Sequence, residues 1–500
     1  EVAWWGYLDM SDMIGKTATI KLAEKIGGSA RDMIECAGQP RCLLPKYEEK
    51  YRPQFHFSQL QGWNNDPNGM VYYNGRYHLF WQCNPLGTGW GNMYWGHASS
   101  PDMVNWTEHK RALRSGGGKG VPLDKRHLSM ATGACFSGSG NVDHNNATGL
   151  NVGDKKTLLL FNSDMNAGVS AFYSHDGISF KRWMKKYPLG IKGRDAKFVF
   201  HKPTKKWVAV SCLANKEHGR HFPIFASTDL QNWTLQQNVK DVHECPEFFE
   251  LPVNGDKNNK RWVLMEASSE YFVGKFDGKK FLSDTNKKQV TMIPRSCYAG
   301  QCFSNSPDGR VVYMGWVGLI TENMPFNQGF TIPMDLTLRT VKDRTVHLFA
   351  NPVKEVDMLR KTAEIQESDL GLNAANQSFT KELSGELYDI CLTLQKKGNP
   401  TTATIRVGEF SLTYDFAKES FGKIAAPLTN GELKVRILVD RPTFEVFMAG
   451  GYSYHSRTRR TKSGIKPGRI SISADVPNGS GVVIKSLKVY PMKTIWKKRK

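Results

Sequence analysis

The stretch SPDMVNW (residues 100–106) returns in altered form as SHDGISFKRW (174–183) and STDLQNW (227–233), with a partial copy, SPDGR, at 306–310. Ser-x-Asp followed by a tryptophan suits a turn that closes a hairpin, with the indole packed behind it. Recurrence at a blade-sized interval is what radially repeated sheets produce. Between the copies lie strand-sized apolar runs, among them YHLFWQ, TLLLFN, KWVAVSC, RWVLMEA and VVYMGW, each bounded by Gly, Asn, Asp or Pro. Helical periodicity is nearly absent over residues 70–350. The pattern predicts an all-β chain in which residues 50–350 form a β-propeller rather than a sandwich.

Outward from this region, NPVKEVDMLRK (351–361) places Val353, Val356 and Leu359 at helical spacing and predicts a helical linker. Alternating segments such as TATIRVG, ELKVRILVD and TFEVFMAG follow, and predict a β-sandwich over 362–492. Residues 493–500, KTIWKKRK, form a basic tail. Residues 1–45, with KTATIKLAEK, are expected to be a partial N-terminal accessory β segment. A chain of 500 residues is too long for one ordinary core, in keeping with this division.

Sixty-eight Lys and Arg against 47 Asp and Glu give a net charge of +21. The excess is spread thinly and comes without zinc-finger, KH or RRM motifs, which argues for a solvated basic surface and against nucleic acid as partner. Attraction to an acidic matrix or cell surface is one use of that charge. No run of eighteen apolar residues occurs, so membrane insertion is not expected. Nine cysteines are scattered without zinc-ligand spacing, and Cys36 and Cys42 in CAGQPRC are either a local disulfide or two idle thiols. No metal or organic cofactor is implied.

Hydrolysis of a glycosidic bond needs two carboxylates in opposite protonation states. Three acids sit in rigid, turn-bounded settings: Asp66 in WNNDPNG (63–69), Asp195 in GRDAKFVF and Glu244 in HECPEFFEL. Asp66 precedes Pro67, which biases its backbone to an extended shape, and Asn64 and Asn65 offer amide donors that would keep it ionised. Alone, it reads equally well as an Asx-turn at the surface. Glu244 lies beside Phe248 and Phe249, and apolar surroundings raise a carboxyl pKa; alone, it reads as a loop glutamate. Asp195 alone reads as the ion-pair partner of Arg194.

Together, WNNDPNG, FSGS (136–139), RDAK (194–197) and ECP (244–246) resemble, in order and spacing, glycoside hydrolase family 32, the invertases, inulinases and levanases. YHLFWQCNP (77–85), YWGHASSPDMVNW (94–106), YAGQCF (298–303) and DRPTFEVFMAGG (440–451) extend the resemblance over residues 50 to 490. It implies a five-bladed propeller with the site in its central funnel, followed by a β-sandwich. By resemblance Asp66 is the nucleophile, Glu244 the acid/base and Asp195 the carboxylate that stabilises the transition state. Asn65, Gln82, Ser137 and Arg194 are expected to hydrogen-bond the sugar, and Trp63, Trp90, Trp95, Phe136 and Trp316 to supply apolar walls.

The implied activity is retaining, exo-acting hydrolysis of terminal β-fructofuranosyl units of levan or inulin, with sucrose as a side substrate, by a secreted or cell-surface enzyme. A carboxyl separation of roughly 5–5.5 Å goes with retention. Three departures from the family pattern stand out: Ala196 where proline is usual, Asn64 where methionine is common, and Met334 where arginine is frequent. The rivals are a sucrose-directed invertase, a fructosyltransferase, and a sugar-binding propeller that has lost catalysis.

Overall fold

The computed structural model describes residues 14–17, 47–116, 128–319, 321, 323–458 and 467–496. Nearly all of the expected N-terminal segment, the Cys36–Cys42 pair and residues 497–500 lie outside these. The described chain is all-β, a propeller-like array of sheets followed by a sandwich.

Gly62–Tyr73, Arg76–Asn84, Tyr94–Ser100 and Thr107–Glu108 form an antiparallel meander, and Phe326–Asn327 adds to the first strand in parallel. The pattern repeats with Cys135–Val142, Leu158–Asp164, Gly168–Ser174 and Lys181–Arg182, and again over the sheet that starts at Arg194–His201. A ten-stranded sheet follows, containing both Glu247–Val253 and Tyr298–Cys302. The strands Gly62–Tyr73, Cys135–Val142, Arg194–His201, Glu247–Val253 and Tyr298–Cys302 pack successively against one another, and the last returns to the first. This closed ring of inner strands brings five separate stretches of sequence to one axis.

The recurring Ser-x-Asp motif has a physical role in this repetition. In the first three sheets it links the third strand to the fourth. Asp102 Oδ1 accepts the amides of Val104 and Asn105, Asp229 those of Gln231 and Asn232, and Asp176 those of Ile178 and Ser179. Each carboxylate thus satisfies donors that a tight turn would leave open. Trp183 is buried behind its turn, while Trp106 and Trp233 are partly buried behind theirs. In the fourth case SPDGR is misleading, because Asp308 lies in the hairpin between Tyr298–Cys302 and Val311–Val317. The equivalent turn is that of Asp277, which accepts the amides of Lys279 and Lys280.

WNNDPNG is not a surface turn. It lies inside the strand Gly62–Tyr73, whose pairing with Arg76–Asn84 slips between Asn64 and Pro67 and again between Asn68 and Val71. Pro67 is tolerated in a central strand because it sits at such an irregularity. The expected linker is helical only as a short 3₁₀ segment, Lys354–Leu359, which follows the strand Val346–Pro352. Val353, Val356 and Leu359 are buried as their spacing predicts. Beyond it, strands between Ile365 and Pro491 form two six-stranded sheets around Tyr388, Ile390, Ile405, Ile437 and Ile472.

The two parts share one core, in which Leu438, Phe447, Tyr454 and Met492 pack with Tyr271, Leu348 and Ala350. A buried polar latch crosses it. Asp440 accepts the amides of Gln54 and Phe55 at 2.7 and 3.0 Å and faces His56 Nδ1 at 2.8 Å. Glu445 accepts the Ile332 amide at 3.2 Å and lies 3.4 Å from His56 Nε2. Burial alone would lower the His56 pKa, but Glu445 and Asp440 outweigh it and push it up to about 9.

A histidine raised in this way stabilises the fold fully below its unfolded value of about 6.5, and the contribution is lost as pH rises through about 9. Thermal melts should therefore show Tm falling between pH 7 and 10, by a contribution of about 3 kcal/mol at most. The fall should be shallower in His56→Gln, which starts less stable. In the turns the sign is opposite. Burial pushes Asp229 up, but the amides of Asn232 and Gln231 bring it to about 2, so its stabilisation is present above about 3.9 and lost on acidification towards 2. Asp229→Ala should cost about 1 kcal/mol at neutral pH by denaturant unfolding, and the difference from wild type should shrink as pH falls towards 2.

Candidate active site

The site residues come from the starts of inner strands and from the strands and loops next to them. At these starts the backbone is distorted: the pairing of Cys135–Val142 slips between Phe136 and Gly138, and that of Tyr298–Cys302 between Tyr298 and Gln301. Asp195, Cys245 and Ala299 hold left-handed φ values of 57°, 48° and 48°. Non-glycine residues adopt this shape only when their surroundings impose it. The imposing contacts are visible. The Asp195 amide donates to Ser163 Oγ at 2.7 Å, Ala267 N–H to the Glu244 carbonyl at 2.8 Å, and Ala299 N–H to the Ala267 carbonyl at 2.8 Å.

Asp66, almost fully buried, is the most heavily bonded of the acids. Its Oδ2 accepts Ser137 Oγ at 2.5 Å and Gln82 Nε2 at 3.2 Å, with Cys245 Sγ at 3.6 Å, and its Oδ1 accepts Asn65 Nδ2 at 3.3 Å. Gln82 also donates to Ser137, which fixes both donors. Asn65 is oriented by Trp63, whose Nε1 donates to its Oδ1 at 3.2 Å. Across the mouth, Arg194 donates through one nitrogen to Asp195 and through the other to Glu244. Tyr298 donates to the second oxygen of Glu244 at 2.6 Å. Asp195 Oδ1 is buried and has no partner.

The electrostatics follow from this wiring. Burial raises Asp66 above the ordinary aspartate value, its hydrogen bonds from Ser137 and Asn65 notwithstanding, and the nearby Glu244 adds to the rise. Burial, with the Asp66 and Glu244 charges, overcomes Arg194 and pushes Asp195 up to about 7. Burial also acts on Glu244, but the Arg194 and Tyr298 hydrogen bonds outweigh it and hold that carboxyl below its ordinary value. The last direction overturns the expectation of a raised Glu244: the neighbouring phenylalanines matter less than the guanidinium on its other side.

The structure gathers Asp66 with Asn65, Gln82 and Ser137, and Arg194 with Asp195 and Glu244, into two bonded groups whose charges act on one another. Trp63 meets Trp316 edge-on at 6.0 Å, and Trp90, mostly exposed, meets Phe136 at 6.2 Å. Trp95 is not a pocket wall. It is fully buried, and its Nε1 donates to the Phe136 carbonyl at 3.1 Å, supporting the wall from behind. Asn64 does not serve Asp66 either. It is fully buried with neither amide atom partnered, and it lies on the far side of the strand from Trp63 and Asn65. Met334 is core, and Ala196, which has proline in the usual pattern, is held through its carbonyl by Ser139 at 2.9 Å.

Several site residues escaped the sequence reading. Tyr298 stood inside the quoted YAGQCF, but its hydroxyl partner lies 54 positions away. Glu266, buried and paired with Lys288 at 3.1 Å, accepts the His243 amide at 2.8 Å and so anchors the loop of Glu244; nothing local marks it. Among the described residues no cluster of His, Cys, Asp and Glu could hold a metal ion. The seven described cysteines are free thiols.

Comparison with known proteins follows the same lines. The pattern of the glycosyl hydrolases family 32 N-terminal domain matches residues 56–352. The chain is 33% identical to a levanase of Bacillus subtilis, over 90% of this chain and 72% of the relative. It is 26% identical to the extracellular exo-inulinase inuE of Aspergillus ficuum, over 81% of this chain and 88% of that protein. The crystal structure of exo-inulinase from Aspergillus awamori superposes with a TM-score of 0.76 at 25% identity, covering 90% of this chain and all of that one. With more than half its length under the family pattern and its folded strands on the same template, the chain is a member of glycosyl hydrolase family 32.

Proposed function

We propose that this protein is a retaining exo-β-fructosidase acting on terminal β-D-fructofuranosyl units of fructans, levan or inulin, and on sucrose. The observation that carries this assignment is that three acids lie close enough to act on one another's charge, Asp195 and Glu244 on one guanidinium and Asp66 beside them on neutral donors. The similarity to levanase and exo-inulinase supports the substrate class. Relatives whose names call them extracellular support a secreted or cell-surface location. The ten-stranded sheet is taken as two blades joined at Val253–Leu338, which makes five blades about the site. Residues 50–350 are then the catalytic propeller, 351–361 a linker and 362–492 the sandwich.

In the first step an Asp66 oxygen bonds to the anomeric carbon while the bond from that carbon to the leaving oxygen breaks, and the Glu244 proton passes to the leaving oxygen. In the second, water attacks the same carbon, Glu244 takes the water proton, and the ester to Asp66 breaks, so fructose leaves with retained configuration. Asp195 and Arg194 hold sugar hydroxyls. Trp63, Trp90, Phe136 and Trp316 wall the ring.

In the empty site Asp66 is shifted up and Glu244 down, each against the form that the first step uses, an ionised Asp66 and a protonated Glu244. The limbs of the pH profile belong to the coupled set. The kcat/KM profile should be bell-shaped, with its acidic limb below the ordinary glutamate value of 4.5 and its basic limb above the ordinary aspartate value of 3.8. A basic limb near the ordinary aspartate value would contradict this.

Asp66→Asn should lower fructose release from levan, inulin and sucrose by about a thousandfold or more with the fold intact by circular dichroism. Proton NMR of the first product should show β-fructofuranose. Free fructose alone is expected from polymer; short oligosaccharides would mean endo action.

A further inference from the structure

Beyond these two bonded groups, a chain of contacts runs from the protein surface to Glu244. Arg220, exposed at the start of the strand Gly219–Ser227, places a guanidinium nitrogen against His243 Nε2. His243 Nδ1 lies 3.3 Å from the Tyr298 hydroxyl, and that hydroxyl donates to Glu244 Oε1 at 2.6 Å. Arginine can only donate, so Nε2 must accept and the ring proton must sit on Nδ1. Nδ1–H then donates to the tyrosine oxygen, which leaves the tyrosine proton for Glu244. Each donor makes the next a better one. The direction of every hydrogen bond is thus set from the Arg220 end.

We propose that His243, with its tautomer fixed by Arg220, is a positioning residue that holds the Tyr298 hydroxyl as a donor to Glu244 and so sets the pH at which Glu244 changes protonation state. This rests on Glu244 being the acid/base. The backbone supports it independently: buried Glu266 fixes the His243 amide at 2.8 Å, and Cys212 Sγ–H donates to the His243 carbonyl at 3.1 Å. Other groups face the pair from the surrounding strands. Arg194 donates to Glu244, the Glu244 charge acts in turn on Asp66 and Asp195, and His243 Nδ1 itself lies 3.8 Å from Glu244 Oε1. Cys245 is the chain neighbour of Glu244, Cys212 lies near it, and Lys288 pairs with Glu266. Of these, only the Arg220–His243–Tyr298 chain reaches Glu244 from outside the sugar cavity's own acids and guanidinium. It can therefore shift Glu244 while leaving Asp66 and its donors in place.

The test uses the whole enzyme and a fructosyl substrate with an activated leaving group, such as β-fructofuranosyl fluoride, chosen so that hydrolysis of the fructosyl-enzyme limits kcat. In that step Asp66 is esterified and no longer titrates, so the acidic limb reports Glu244 with Asp195 as its one remaining carboxylate neighbour in the site. Arg220→Ala and His243→Phe should each move this limb to higher pH by about half a unit, the scale of one hydrogen bond. His243→Gln, which can still donate to Tyr298, should stay close to wild type. In a Tyr298→Phe background, Arg220→Ala should add nothing, whereas a direct effect of the lost Arg220 charge would persist. An unmoved limb in Arg220→Ala and His243→Phe, or a shift that survives in Tyr298→Phe, would overturn the relay. Glu244→Gln separates the two levels. A wild-type profile in that variant overturns the assignment of Glu244 itself, whatever the relay variants do.

Discussion

Everything in the site depends on Arg194 standing between two carboxylates. Asp66, Asp195 and Glu244 each raise the cost of ionising another, and burial adds to that cost. One guanidinium, in contact with both Asp195 and Glu244, offsets part of the repulsion and leaves the balance uneven. Glu244 gains two charge-stabilising donors, while Asp66 is served by neutral ones. The two carboxyls are therefore shifted in opposite directions, Asp66 up chiefly by burial and Glu244 down by its two donors. Substrate hydroxyls entering between Arg194 and its carboxylates would weaken the hold on Glu244, which couples binding to chemistry.

The fold supplies the geometry that this balance needs. An inner strand bends or enters a left-handed turn where a functional group leaves it, as at Asp195 and Cys245. The strain is held by buried hydroxyls and amides from the adjoining sheets, such as Ser163 and Ala267. At the far ends of the sheets the Asp-capped turns hold third strand to fourth with a repeated local device. The sandwich closes on this assembly through a shared core and through His56, Asp440 and Glu445.

Much of this was legible in the chain. The Ser-x-Asp turns announced a repeated sheet because each is local, with donor and acceptor within three residues. The three acids were legible as a group because their motifs come in a known order, and the structure sets Asn65, Gln82 and Ser137 against Asp66 and Arg194 against Asp195 and Glu244. The failures come from what a one-dimensional pattern omits. WNNDPNG has the composition of a turn, yet a bulged strand uses the same residues to bring Asp66 to Ser137 and Gln82 and to bury Asn64 without a partner. Trp95 looked like Trp90 in sequence, but Trp95 is buried in a strand while Trp90 stands exposed on the loop before it. SPDGR matched the repeat and proved to belong to another hairpin, while Asp277 did the repeat's work without its serine. Glu266, Ser163 and the hydroxyl of Tyr298 act on segments 23 to 54 positions away, and no pattern along the chain could show it.

The central claim is that Asp66 carries the sugar between the two steps. Its most direct test is covalent trapping in Glu244→Ala with β-fructofuranosyl fluoride, followed by acid quench and peptide mass spectrometry. The activated leaving group permits the first step without the acid, and the missing base stalls the second. The expected result is a fructosyl adduct on the peptide containing Asp66. An adduct on another residue, or turnover to inverted fructose with none, would contradict the account.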